Sequence, residues 1–285
     1  MGDADAAPAP AAKSKAGRNL PAAIGSGVVL ALVVILSLLF VKWLFVLVVI
    51  GTMLVAVSEV IAAFAKNGVK VARTPAYGAT LVVPAAAYVW GPTALIAAAG
   101  IAILAAMVWR IRRGYEGYVR DVTASIFTIA YLPFMAGFLM LSLAADNGAQ
   151  RMVVFILLTV SNDIGGYAAG VLFGKHPIAP QISPKKSWEG FAGSIVLQAV
   201  VGALSWVFIF DAPWWQGVIA GLVMTVTATA GDFVESAIKR DLGVKDMGTF
   251  LPGHGGMMDR FDSLIPNAFT SWALFTLFLG SGTGS

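Results

Sequence analysis

The chain has 285 residues, 58% of them hydrophobic and only 12% charged, with a mean hydropathy of +0.82 and a net charge of +4. Soluble domains carry about 25% charged residues, so this much apolar surface indicates a protein embedded in a bilayer. Cysteine is absent and only two histidines occur, which excludes disulfides, thiolate metal sites, a cysteine nucleophile and a multi-histidine metal cage. Any metal must have oxygen ligands, which favours a hard cation such as Mg²⁺. The modest positive charge indicates membrane topology rather than nucleic-acid binding.

The first 19 residues are rich in alanine and proline and contain no segment that could form a core, so we predict a disordered tail. Apolar runs of roughly 20 residues then recur along the chain. We divide it into the tail 1–19, N-terminal transmembrane helices in 20–150 and a C-terminal catalytic transmembrane region in 151–285. The prediction is an all-α polytopic membrane protein with about nine transmembrane helices, at 22–40, 43–65, 75–90, 92–109, 123–144, 151–173, 190–210, 214–235 and 264–281.

The basic residues predict the orientation. With the N-terminus in the cytoplasm and the C-terminus outside, all but two of the 19 basic residues, Lys42 and Arg151, fall in cytoplasmic segments. The two longest polar insertions, 174–189 and 236–263, fall on the same side. We therefore expect the chemistry at the cytoplasmic face of the plasma membrane.

The polar stretch 231–263 carries acidic residues at helical spacing. Asp232, Glu235 and Ser236 would share one face of a helix, and Asp259 and Asp262 repeat the i, i+3 spacing. Carboxylates at a membrane are costly, and two such faces brought together would form an oxygen cage for a divalent cation. Cations and a glycine-rich turn that suit a polyphosphate lie between them: Lys239, Arg240, Lys245, His254, Gly255 and Gly256. These features predict phosphoryl or nucleotidyl transfer, the alternative being a solvated loop.

The second polar insertion offers hydroxyls and cations. Asp163 lies near the end of an apolar run, and Ser183, Lys185, Lys186 and Ser187 precede the seventh predicted helix. A Ser-Pro pair at 183–184 favours a helix start there, and helix N-termini attract phosphate. The alternative is a basic anchor that only fixes topology.

The residues from Ser236 to Asp262 resemble the phosphatidate cytidylyltransferase family, also called CDP-diacylglycerol synthases. The upstream segments FGKHP and ISPKKSWEG are also similar to the family, with Ser187 where threonine is common, and the specific resemblance covers roughly 160–275. The matching positions are Ser236, Lys239, Arg240, Lys245, Asp246, Gly248, Leu251, Pro252, His254, Gly255, Gly256, Met257, Asp259, Arg260, Phe261 and Asp262.

The resemblance implies transfer of CMP from CTP to phosphatidic acid, which releases pyrophosphate and gives CDP-diacylglycerol for phospholipid biosynthesis. It implies that Asp232 and Asp259 bind Mg²⁺, with K⁺ as a second cation. It also suggests a homodimer and contacts with membrane lipids. The other catalytic residues implied are Lys239, Arg240, Lys245 and His254, the last either donating to a phosphate or fixing the turn. The substrate-binding residues would be Ser183, Lys185, Lys186, Ser187, Asp163, Ser236, Asp246, Gly255, Gly256, Arg260 and Asp262.

Other interpretations remain open at this point. Glu59, an acid within the second predicted helix, either borders the cavity or pairs with a hydroxyl or backbone group inside the bundle. Rival activities are a lipid kinase and a CDP-alcohol phosphotransferase, although the Asp-Gly-x-x-Ala-Arg motif expected of the latter does not occur. A transporter with intramembrane ion sites is a further alternative, but its inverted repeats are not evident in the sequence.

Overall fold

The computed structural model describes residues 32–33, 36–38, 41–248, 250 and 255–282, so the predicted tail and most of the first predicted helix lie outside the described residues. Six segments of the described part are long and apolar enough to cross a membrane: α1, α2, the continuous α3–α4 segment, α5, α6 and α7. The helices are α1 (Lys42–Lys66), α2 (Arg73–Ile111), α3 (Tyr118–Ile129), α4 (Met135–Ala144), α5 (Gly148–Phe173), α6 (Trp188–Phe210), α7 (Trp214–Asp241) and α8 (Leu264–Leu279).

This architecture confirms a helical membrane protein. Each predicted span from the second onward coincides with helical residues, although α7 continues well past the predicted end at residue 235. The last helix, α8, has 16 residues and is short for a complete crossing. The total of nine spans and the orientation of the termini stay predictions.

Helix α2 is a hairpin rather than a single rod. A straight helix of 39 residues would be about 58 Å long. Its two ends nevertheless meet at the Asp121 carboxylate, which accepts hydrogen bonds from Lys70 N (3.0 Å), just before the helix, and from Arg110 Nε (2.8 Å). The chain reverses at Gly91, whose φ of 78° is readily available only to glycine. The third and fourth predicted spans are therefore the two arms of this hairpin.

Helices α3 and α4 form one apolar segment with a wide turn inside it. Residues Ala130–Phe134 are π-helical and contain Pro133. Proline has no N–H to donate and its ring displaces the carbonyl one turn earlier, so the wider turn accommodates it without ending the helix. The fifth predicted span is thus continuous but locally unwound.

Two short strands, absent from the predicted all-α fold, precede α6. Strand β1 (Pro177–Ala179) pairs antiparallel with β2 (Ser183–Ser187). Helix α6 begins only at Trp188, and the Ser187 hydroxyl caps it by accepting a hydrogen bond from Gly190 N at 3.1 Å. The predicted helix start at Ser183-Pro184 is wrong, because pairing with β1 holds those residues extended up to the cap.

The two basic residues outside the predicted cytoplasmic segments each bond the carbonyl that ends a helix. Lys42 Nζ donates to Ala145 O (2.9 Å), directly after α4, and Arg151 donates to Gly280 O (2.7 Å), directly after α8. Such carbonyls have no partner within their own helix, and a cation there also complements the helix dipole. These contacts bring residues 42, 145–151 and 280 together at one end of the bundle.

The helices that carry the polar residues pack at close range. Helix α6 lies between α5 and α7, and Gly202 of α6 faces the Gly217 backbone of α7 with no space for a Cβ. A Cβ on Gly231 of α7 would likewise collide with the Asp262 carbonyl and with Pro266. Small residues permit this close helix packing within a membrane. The contact at Gly231 brings the end of α7 against the segment before α8.

Candidate active site

A cavity of about 550 Å³ opens between α5, β2, α7 and the segment leading into α8. Eight of the predicted site residues line it together with Glu235 and Thr159, so residues far apart in the sequence converge there. The eight are Asp163, Lys186, Asp232, Ser236, Lys239, Asp259, Arg260 and Asp262.

Helix α7 supplies one wall of this cavity. Asp232, Glu235, Ser236 and Lys239 recur at helical spacing and all face the cavity, which confirms the predicted shared face. Glu235 is buried, and its Oε2 contacts Lys239 Nζ at 2.6 Å. Glu235 Oε1 has no hydrogen-bond partner among the described residues. A buried, unpaired carboxylate oxygen is therefore available at the cavity wall.

Asp259 also lines the cavity and lies in a 3₁₀ turn formed by Met258–Arg260. Its carboxylate accepts hydrogen bonds from Lys239 Nζ (3.0 Å), Met247 N (3.1 Å) and Gly256 N (2.9 Å). Burial would raise the pKa of Asp259, but the lysine and the Gly256 N–H outweigh burial and hold the pKa below its ordinary value. Asp259 is therefore a fixed negative charge that ties α7 to the loop after it.

Asp262 contrasts with Asp259. Its Oδ1 accepts a hydrogen bond from Ser263 N at 2.8 Å, and the Gly231 contact presses its backbone against α7. Burial raises the pKa of the Asp262 carboxyl above its ordinary value, in spite of the nearby cations. The two acids at i, i+3 thus differ in their ease of ionisation.

Lys186 of strand β2 lines the cavity, and its ammonium group contacts the Asp232 carboxylate. A smaller cavity of about 250 Å³ adjoins the first and shares Asp163, Lys186 and Asp232 with it. Lys185 and Ser187 line only the smaller cavity. Both predicted polar insertions therefore contribute to one continuous polar space.

The larger cavity has an excess of acid. Five carboxylates line it, against three basic side chains. A polyphosphate entering it would meet net negative charge, which opposes binding unless cations accompany the ligand. The oxygen-only donor set and the unpaired Glu235 Oε1 fit a hard cation such as Mg²⁺. No three acids among the described residues stand close enough to hold an ion by themselves.

Some predicted site residues lie elsewhere. Arg240, Lys245 and Asp246 are exposed and do not line either cavity, and Ser183 begins β2 outside both. Gly256 acts through its N–H on Asp259, and Gly255, with a φ of 85°, forms the turn before it. His254 lies outside the described residues.

Two acids gain roles that the predicted site did not include. Glu235 belongs to the predicted acidic face but not to the predicted site residues. Its i, i+3 spacing from Asp232 is the sequence feature that indicates a place in the site. Glu59 of α1 does not line the polar cavity but binds backbone N–H groups of Met257 and Met258 at 3.0 and 2.9 Å. The interpretation of Glu59 as an internally paired acid is therefore confirmed.

An apolar cavity of about 170 Å³ adjoins the polar one. The two share Ile156, Arg260 and Leu264, and the apolar cavity extends between α1, α4, α5 and α8. Charged and apolar spaces thus meet at Arg260.

This arrangement defines a class of protein: a helical membrane protein with a charged, oxygen-rich cavity that suits a polyphosphate accompanied by cations. Residues 21–278 match the Cytidylyltransferase family. The chain is 38% identical to the phosphatidate cytidylyltransferase of Mycobacterium leprae over 284 residues, which cover 92% of this chain and 89% of that protein. It is also 38% identical to the phosphatidate cytidylyltransferase of Mycobacterium bovis, over 93% of this chain and 90% of that protein. The enzyme of the same name from Staphylococcus saprophyticus is 37% identical, over 51% of this chain and 55% of that protein.

The chain therefore belongs to the cytidylyltransferase family and is an enzyme. The match extends over the N-terminal helices as well as the polar segments that first indicated the family.

Proposed function

We propose that this enzyme transfers CMP from CTP to phosphatidic acid, giving CDP-diacylglycerol and pyrophosphate. The observation that carries the proposal is the convergence of Asp163, Lys186, Asp232, Lys239 and Asp259 on one cavity, in a chain 38% identical to phosphatidate cytidylyltransferases over most of its length. The adjoining apolar cavity supports a lipid as one of the two substrates.

In the proposed reaction a phosphate oxygen of phosphatidic acid attacks the α-phosphorus of CTP in line. A new P–O bond forms there, and the bond from the α-phosphorus to the bridging oxygen of the β-phosphate breaks to release pyrophosphate. The attacking oxygen is already anionic near neutral pH, so no strong general base is needed. Lys186, Lys239 and Arg260 would bind phosphate oxygens and offset the repulsion between the two anions.

The excess of carboxylates in the cavity supports a requirement for Mg²⁺, with K⁺ as a second cation. Asp232 and Asp259 would hold Mg²⁺, Asp259 in place of its present contact with Lys239. Such an ion would supply charge neutralisation at the phosphates when bound. Because Mg²⁺ often takes only one or two carboxylates and completes its shell with phosphates and water, two aspartates suffice.

The proposed setting is the plasma membrane, with nine spans, a cytoplasmic N-terminus and an external C-terminus. The distribution of basic residues supports this orientation, which makes CTP accessible from the cytoplasm while phosphatidic acid arrives within the membrane. A homodimer is proposed on the resemblance to the family alone.

The test is an assay of the purified protein with labelled CTP and phosphatidic acid in the presence of Mg²⁺. We expect label from the α-phosphate of CTP to enter lipid, EDTA to abolish incorporation, and K⁺ to increase it. Parallel incubation with labelled ATP and a lipid alcohol tests the kinase. Lipid labelling from ATP without incorporation from CTP would overturn the proposal.

A further inference from the structure

Glu59 lies in α1, which carries none of the polar residues that line the cavity. Its side chain is buried, and Glu59 is only 8% exposed. Oε1 accepts from Met257 N (3.0 Å) and Oε2 accepts from Met258 N (2.9 Å), so each carboxylate oxygen binds one of two successive peptide groups. These contacts join positions 198 and 199 residues apart in the sequence.

Two glycines make room for this carboxylate. A Cβ on Gly248 would collide with the Glu59 carboxylate. A Cβ on Gly256 would stand 2.7 Å from Glu59 Oε2 and 2.9 Å from Asp259 Oδ2. Gly256 therefore separates two buried acids, and any larger residue would force them apart. The pocket fits Glu59 closely, as expected of a contact that fixes the backbone.

The N–H groups that bind Glu59, those of Met257 and Met258, directly follow the Gly256 N–H, which binds Asp259. Gly256 N donates to Asp259 Oδ2 at 2.9 Å, while the next two N–H groups along the chain donate to Glu59. The orientation of residues 256–258 thus sets the position of the Asp259 carboxylate. Glu59 binds two of these three residues through their N–H groups and does not itself line the cavity.

A second side chain near the end of α1 binds the same region. Asn67 Nδ2 donates to Leu242 O at 3.0 Å, immediately after α7. Glu59 of α1 and Asn67, which directly follows α1, therefore contact two points of the segment that connects α7 to α8, at Met257 and at Leu242. That stretch contains Lys245, Asp246 and the turn before Asp259.

We propose that Glu59 is a positioning residue for the transfer reaction: it holds the 256–258 backbone, and through it Asp259, in the reactive arrangement. This inference rests on the proposed function for its kinetic consequence. Its structural part, the dependence of residues 256–258 on a carboxylate at position 59, stands without it. In this way helix α1, which lies outside the segment 160–275 that carries the specific resemblance, would contribute to the site.

Glu59→Gln tests the contact with little change in shape. One amide oxygen can still accept a single N–H, but the amide nitrogen would face the other N–H, and two donors repel. Glu59→Asp keeps the charge and both acceptors but is one methylene shorter. Asp121→Asn is the matched control, because Asp121 is also a buried carboxylate that accepts a backbone N–H, and its hydrogen bonds come from Lys70, Arg110 and Arg120 rather than from residues 256–258.

The purified full-length proteins would be compared by hydrogen–deuterium exchange, thermal unfolding and steady-state kinetics. For Glu59→Gln we expect faster exchange at Met257 and Met258 and a kcat roughly 10–100-fold lower, as for other residues that orient a reactive group, with little change in KM for CTP. Glu59→Asp should recover part of kcat. Asp121→Asn should unfold at a lower temperature but keep the wild-type kcat and exchange at 257–258.

Unchanged exchange at 257–258 in Glu59→Gln would overturn the positioning contact. So would a loss of kcat that Asp121→Asn reproduces, since the effect would then follow stability alone. If Glu59→Gln does not fold, Glu59→Asp replaces it: its shorter side chain should still give faster exchange at 257–258 than in the wild type, and exchange and kcat that both equal wild type would count against the inference. A wild-type protein without CMP transfer would instead overturn the proposed function, while the exchange result would still decide the contact.

Discussion

At the residue scale, the site contains charges that are paired with one another before any substrate arrives. Lys186 contacts Asp232, and Lys239 bridges Glu235 and Asp259 at 2.6 and 3.0 Å. Buried ion pairs of this kind repay their desolvation only with good geometry, so they are weak evidence of stability. Under the proposed function, phosphate oxygens that enter the cavity would replace these carboxylates as partners of Lys186 and Lys239.

Neutralising either aspartate should therefore abolish most of the activity. For Asp232→Asn and Asp259→Asn we expect CMP transfer to fall about 10²–10³-fold, the usual cost of losing one electrostatic contact to a transition state. The measurement is incorporation of labelled CMP into lipid at saturating CTP. Asp241→Asn, an exposed carboxylate at the end of the same helix α7, is the control and should keep full activity. Wild-type rates in the first two variants would contradict the metal and site assignment.

Adjacent lysines on β2 allow a comparison of similar side chains in different places. Lys186 lines both cavities and contacts Asp232, whereas Lys185 is exposed and lines only the smaller one. Successive side chains of a strand point to opposite faces, which explains the difference. We expect Lys186→Gln to lower kcat by roughly 10²-fold or more and Lys185→Gln to lower it much less. Equal losses in the two variants would show that β2 supplies only general positive charge.

At the element scale, apolar runs predicted most of the helices, but some elements depend on contacts distant in sequence. The break between the predicted spans 75–90 and 92–109 falls at Gly91, where α2 reverses direction. The strand at Ser183–Ser187 was not visible, because its residues lack alternating apolar positions and the strand depends on pairing with β1. A helix start at Ser-Pro was a reasonable local signal that pairing overrode.

The cap of α6 is the consequence of this strand that can be measured. Ser187 ends β2 and its hydroxyl accepts the Gly190 N–H, so Ser187→Ala should lower the free energy of unfolding by about 1 kcal/mol. Ser187→Asn, which also caps helices well, should restore most of that loss. Thermal unfolding in detergent measures both. An unchanged midpoint for Ser187→Ala would mean that the cap contributes nothing to stability.

At the scale of the whole molecule, the sequence identified the acidic face of α7 and the two polar insertions but not how they are held together. The i, i+3 spacing of Asp232 and Glu235 is local, so helical geometry predicts their shared face. The hydrogen bonds from Met257 N and Met258 N to Glu59 join α1 to a segment almost 200 residues later in the chain. No local sequence pattern predicts them. Likewise, no local pattern predicts the carbonyl partners of Lys42 and Arg151, the two basic residues outside the predicted cytoplasmic segments.

Hydrogen bonds between distant residues identify the two ends of the helix bundle. Residues 42, 145–151 and 280–282 meet at one end through Lys42, Arg151 and the hydrogen bond from Asp146 N to Gly282 O (2.8 Å). Residues 67–70, 110–121 and 242 meet at the other, since Asn67 and Lys70 follow α1. Most of the basic residues belong to the second end, which the charge rule assigns to the cytoplasm.

Because the chain contains no cysteine, this orientation can be tested by single-cysteine labelling without removing native residues. Tyr115 is 89% exposed near the second end, and Gln150 is exposed at the first. In intact cells a membrane-impermeant maleimide should label Gln150→Cys, whereas Tyr115→Cys should react only after permeabilisation. Retained CMP transfer in both variants would show that each is folded. The opposite labelling pattern would place the first end in the cytoplasm and would contradict an N-terminus-in arrangement with the cavity open to CTP.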